Sequence, residues 1–149
     1  WRFEFRYALG GIVALVHDVT ITIGAVSIMN IEFTISILAA LIFIIGFSIN
    51  DTIVVLDRIR ENVKLNPKQK LSDTINLSIN QTLSRTILTS MTVFLTVLAL
   101  YIFGGAVIHD FAFALLVGVV IGTYSSIHIA CTIVLLFENI KIAKMKKAK

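Results

Sequence analysis

Residues 37–56 read Ile-Leu-Ala-Ala-Leu-Ile-Phe-Ile-Ile-Gly-Phe-Ser-Ile-Asn-Asp-Thr-Ile-Val-Val-Leu, a run long and apolar enough to cross a bilayer. A spanning helix needs about 20 such residues. Within hydrocarbon, only helices and closed barrels satisfy every backbone polar group. Unbroken apolar runs, rather than ten-residue alternation, select helices. Composition agrees: 57% of the chain is hydrophobic and 15% charged, against about 45–50% and about 25% in soluble domains.

Four such runs are present, at residues 7–29, 33–56, 86–103 and 111–137. The first two are joined by Asn30-Ile-Glu32 and the last two by residues 104–110. Residues 57–85 form a longer polar link that carries the single proline, Pro67. The expected fold is an all-α membrane protein, one domain over residues 1–149, with four transmembrane helices in two antiparallel hairpins. Leu71, Ile75, Ile79 and Leu83 recur every four residues within the link, which predicts an amphipathic helix at the interface leading into the third span. Residues 138–149 form a basic tail.

All thirteen Lys and Arg residues lie before the first span, in or beside the long link, or after the last span. Both short links have none. The positive-inside rule makes the basic side cytoplasmic, with both chain ends on it. The net charge of +4 therefore reads as topology. Nothing resembles a nucleic-acid-binding patch. One cysteine, Cys131, excludes an internal disulfide. The start at Trp1 reads as the C-terminal part of something longer.

Polar residues inside the spans are the candidates for function, because a charge near the centre of a membrane helix costs roughly 2.5–3.5 kcal/mol on insertion scales. Asp51 is the foremost, with Ser48, Asn50 and Thr52 as neighbouring hydrogen-bonding groups. Arg85 opens the third span, and Thr89, Thr92 and Thr96 continue from it as a polar stripe. Helices two and three are antiparallel, so Asp51 and Arg85 fall at similar depth, where pairing lowers the cost of both charges. Asp18 lies on a stripe with Gly10, Ala14 and Thr22 that points into the bundle, either as a proton carrier or as a helix lock. His17 sits about 100° round the helix from it, so the two are expected on different faces. Ala114, Gly118, Gly122, Ser126 and Ala130 keep four-residue spacing on the last span, the pattern of a close helix–helix seam. No nucleophile–base set, phosphate loop or metal-ligand spacing is visible, which leaves an enzyme little support, and no cofactor is expected.

The chain resembles the SecF family, the smaller membrane subunits of the bacterial SecD–SecF protein-export complex. The resemblance rests on Val16-His-Asp-Val19, on the specific run Phe47-Ser-Ile-Asn-Asp-Thr-Ile-Val-Val-Leu-Asp-Arg-Ile-Arg-Glu-Asn62, and on Gln81-Thr-Leu-Ser-Arg-Thr-Ile87, Tyr101-Ile-Phe-Gly-Gly105 and Gly122-Thr-Tyr-Ser-Ser126. It implies half of an RND-like transmembrane domain, holding helices three to six, with Trp1–Arg6 ending the helix before. It also implies SecD, the SecYEG channel and preproteins as partners in the bacterial inner membrane, and proton movement through Asp51 and Arg85, with His17 and Asp18 a further family motif. A scaffold whose charges only set helix register, or a piece of another RND-type transporter, stays open from the residues alone.

The topology is open to test. Cysteines placed at Lys64 and Glu32 in a Cys131-free background should react with an impermeant reagent from opposite sides of the membrane. Reaction of both from one side rejects it.

Overall fold

A computed structural model describes residues 4–147, with side chains from Tyr7 to Phe137. The expectations placed on Trp1–Phe3, on the side chains of Glu4–Arg6, and on the basic tail beyond Phe137 lie outside the described residues and side chains. Four helices make up the fold: α1 Glu4–Ile28, α2 Ile35–Leu65, α3 Leu71–Phe103 and α4 Gly105–Lys147. All four contain stretches long and apolar enough to cross a membrane.

Local chemistry explains where each helix stops. After α1 the chain turns at Asn30, whose φ of 52° is a left-handed conformation that asparagine tolerates better than most residues. Thr34 caps α2, its Oγ1 accepting from the Ile37 N–H at 3.4 Å. At the far end, Asn66 has left the helical region, as expected for the residue before Pro67. Between α3 and α4 only Gly104 intervenes. Gly105 has a φ of +71°, and a Cβ on Gly104 would strike the Leu100 carbonyl, so this reversal requires both glycines.

The helices outrun the apolar runs. Residues 57–85 are not a separate link: they are the last turns of α2, a short turn around Pro67, and the first turns of α3. Nor do residues 105–110 form a connection, since α4 begins at Gly105. Hydropathy marks the part of a helix that suits lipid, whereas the helix itself continues until a proline, glycine or cap stops it. The amphipathic stretch after Leu71 likewise spends its apolar face on the bundle. Ile75 packs in one cluster with Val55, Leu56 and Ile59 of α2 and with Cys131 and Val134 of α4, and Leu71 and Ile79 flank that cluster.

Helix α4 is the axis of the bundle. It touches α1, α2 and α3, and α2 also touches α1 and α3. Small residues make this possible. Ala114, Gly118, Gly122, Ser126 and Ala130 are all buried, as are Gly10, Ala14, Asp18 and Thr22 along α1. A Cβ on Gly10 would lie 3.1 Å from the Ala130 carbonyl oxygen. One on Gly118 would overlap the buried Ile44 side chain, whereas one on Gly122 would make ordinary contact with Ser48 at 3.5 Å.

These contacts order the cost of adding a methyl group. Gly118→Ala should destabilise by about 1–3 kcal/mol, the usual range for overpacking, while Gly122→Ala should be tolerated. Thermal unfolding in detergent would show it, and equal melting of the two variants would contradict the packing described.

Candidate functional site: a polar layer across the bundle

Two buried carboxylates lie either side of the α2–α4 contact. Asp18 of α1 is fully buried, and its Oδ2 accepts from Ser48 Oγ of α2 at 2.5 Å. Its Oδ1 is 3.1 Å from His17 Nδ1. The two neighbours therefore do meet, contrary to the helical-wheel expectation, because side chains on consecutive residues can lean toward one another where Cβ directions alone would separate them. Gly122 faces this pair, with the position of a Cβ 3.8 Å from Asp18 Oδ2. Thr22 Oγ1 donates to the Asp18 carbonyl one turn back.

Asp51 is 4% exposed and lies less than one turn past Ser48 on the same buried face of α2. Ser90 Oγ of α3 donates to its Oδ2 at 3.4 Å, and Thr123 Oγ1 of α4 donates to Ser90 Oγ at 2.8 Å. Gly122 and Thr123 are consecutive, so α4 serves one carboxylate with each. The result is a polar layer through all four helices, made of Asp18, Ser48, Asp51, Ser90 and Thr123.

Other expected partners stand elsewhere. Arg85 is exposed, and among the described residues it forms no ion pair with Asp51. It lies more than a turn before Ser90, the residue of α3 that does reach the carboxylate. Ser48 serves Asp18 instead of Asp51, and Asn50 is exposed. Thr52 is buried, but its Oγ1 has no partner among the described residues. Thr89 is half-buried and donates to the Arg85 and Thr86 carbonyls. The stripe Thr92–Thr96 faces outward, each hydroxyl returned to its own backbone. His128 is exposed and stacks on Tyr124 at 4.7 Å, and Cys131 is buried.

Sequence reading missed Ser90 and Thr123. A signal for Ser90 was present: Thr74, Ser78, Thr82, Thr86 and Ser90 recur every four residues, and all are buried. The outward Arg85–Thr96 stripe has nearly the same spacing. Spacing alone does not say which of two stripes faces inward. At the far end of α2, Asn62 is also buried. Its Nδ2 donates to Ser78 Oγ at 2.9 Å and to Gln81 Oε1 at 2.8 Å, while Arg58 Nε donates to the same oxygen at 2.7 Å.

Comparison with known proteins places this arrangement. The family model "Protein export membrane protein SecD/SecF, C-terminal" matches residues 1–140. The chain belongs to this family. It is 54% identical over 142 residues to the protein translocase subunit SecF of Calditerrivibrio nitroreducens, covering 94% of this chain and 47% of that protein. It is 53% identical over 139 residues to the SecF subunit of Koribacter versatilis, covering 93% of this chain and 34% of that one. The chain thus spans half or less of the length of these relatives. A crystal structure of SecDF in a super-membrane-facing form superposes with a TM-score of 0.94 at 46% identity, over 99% of this chain and 20% of that one. The four-helix fold therefore matches a part of the SecDF structure, and the SecF resemblance is a family relationship.

The hydrogen-bond lengths separate the two carboxylates. Ser48→Ala leaves a buried Asp18 oxygen without its donor and should cost about 1–3 kcal/mol. Ser90→Ala removes a long, weak contact and should cost less. Unfolding of the two variants side by side checks the order, and the reverse order would count against this geometry.

Proposed function

We propose that this chain is the membrane part of a SecF-type subunit that, together with SecD and beside the SecYEG channel, uses the proton gradient to assist preprotein export. In this reading it lies in the bacterial inner membrane with both ends cytoplasmic, and Asp51 carries the proton. One observation supports it most. Asp51 is buried within a span and is held only by a hydroxyl at 3.4 Å, with no cation in contact among the described residues. A membrane carboxylate held so loosely has no evident structural reason to be there, and such groups mark ion and proton pathways.

Asp18 has the opposite character. Its short bond to Ser48 and its full burial fit a pin between α1 and α2, with His17 orienting the carboxylate. The scaffold reading is favoured there and not at Asp51. Arg85 acts on Asp51 through space, and its exposed guanidinium is free to approach if α3 shifts. Each charge crossing the full membrane potential yields ~2.3 kcal/mol per 100 mV, enough to bias states a few kcal/mol apart.

Asp51→Asn keeps the shape of the side chain and removes its titration. In the full-length complex it should abolish gradient-dependent stimulation of export and leave assembly intact. Arg85→Lys should impair it in part, since the charge stays and the planar fork is lost. Stimulation of the Asp51→Asn complex at the level of the unsubstituted one would sink this reading and favour the scaffold.

A further inference from the structure

The bond between Ser90 and Asp51 cannot hold its own place. At 3.4 Å it is longer than the usual hydroxyl bond of about 2.5–3.0 Å, so a small shift of α3 along α2 breaks it. The rest of the seam does not fix that height. Thr74, Ser78, Thr82, Thr86 and Ser90 are buried at four-residue spacing on α3, and such a row looks alike from one turn to the next. Val55 and Ile59 of α2 are buried and apolar, and apolar contact is non-directional. Packing on α4 sets the coarse height of each helix. Fixing α2 against α3 more finely takes a directional contact that does not repeat.

Asn62 makes that contact. It is 3% exposed and lies eleven residues after Asp51, close to three whole turns, so both side chains leave α2 in nearly the same direction. Its Nδ2 donates to Ser78 Oγ at 2.9 Å and to Gln81 Oε1 at 2.8 Å, and Arg58 Nε donates to the same Gln81 oxygen at 2.7 Å. All three bonds are shorter than the one at Asp51. Gln81 stands off the hydroxyl row and does not recur. A slip that set Thr86 opposite Asp51 would put Leu77 in the place of Gln81, and leucine has no acceptor for either donor. The opposite slip would put Arg85 there, against Arg58, and Phe94 against Asp51. One buried amide thus tells apart registers that the row and the apolar wall do not, as a single buried Asn does in a coiled coil.

We propose that Asn62 and Gln81 are positioning residues for Asp51: their amide contact sets the register of α2 against α3 at which Ser90 meets the carboxylate. This rests on the reading of Asp51 as the proton carrier and adds what places its hydrogen-bond partner. Neither amide touches the proton. Asn62 meets Ser78 and Asp51 meets Ser90, two levels roughly 17 Å apart at 1.5 Å per residue. Continuous helix joins the two levels on both sides of the seam, so an axial shift at one level arrives at the other. The tight end holds the loose end within reach.

The experiment uses the full-length protein with its partner in proteoliposomes, and reads proton flux against pH with an entrapped dye. Ser90→Ala is the reference, because it deletes the bond to Asp51 directly. The midpoint of its profile should move by roughly half a pH unit, the size of one weak hydrogen bond. Asn62→Leu should move the midpoint in the same direction. Gln81→Leu, at an exposed position, should do the same, so a misfolded Asn62 variant does not decide the matter. Gln81→Glu keeps an accepting oxygen and should keep the unsubstituted midpoint. Glu61→Gln removes only the surface pair with Arg58 and should also leave it in place. Gln81→Leu combined with Ser90→Ala should shift no further than Ser90→Ala alone, as for two changes that act through one bond. If Gln81→Leu keeps the unsubstituted midpoint, or its shift adds in full to that of Ser90→Ala, while Asp51→Asn is silent, the positioning role is overturned and the role of Asp51 stands. Full flux through Asp51→Asn overturns both.

Discussion

Close approach of helices to α4 is the constraint on which the rest depends. In lipid there is no hydrophobic drive to bring apolar helices together, so packing and interhelical hydrogen bonds must do it. The stripe from Ala114 to Ala130 lets α1 and α2 come near enough for Ser48 to reach Asp18 at 2.5 Å and for Gly10 to lie against the Ala130 carbonyl. Without that proximity each polar group in the middle of the bundle would face lipid alone.

The polar layer is arranged so that its two carboxylates are held differently. Asp18 is gripped by a short bond from α2, capped by a glycine and adjoined by a histidine. Asp51 has one long contact, and its donor Ser90 is itself held by Thr123. Tight satisfaction rigidifies a site, and loose satisfaction leaves it ready to change. Asp51 and the Ser48 that binds Asp18 lie on one buried face of α2, so a small movement of α2 against its neighbours alters both sets of bonds together.

Family membership supplies context that four helices do not contain. The relatives named SecF extend well beyond the matched segment, and the SecDF chain used for superposition is about five times as long, since the match covers 20% of it. Exposed residues such as Arg85, Tyr124 and His128 are exposed in this chain by itself. In a larger assembly those faces are where further helices would pack.

The sequence by itself determined the solvent, the helix number and the small-residue stripes. Hydropathy reports directly on lipid, and four-residue spacing reports directly on a helix face. It also singled out Asp18 and Asp51, because a carboxylate in an apolar run stands out in any reading. Helix length was not legible, since polar turns continue a helix as readily as apolar ones until Pro67 or Gly104 intervenes. Nor was the choice between the Arg85–Thr96 stripe and the Thr74–Ser90 row, which differ in where they point and hardly in spacing. Only the tertiary structure decided that Ser48 belongs to Asp18, that Ser90 belongs to Asp51, and that Arg85 makes no direct contact with Asp51 among the described residues. Hydrogen-bond partners on different helices are fixed by rotation and register between helices, and these are properties of packing that no single helix carries in its own sequence.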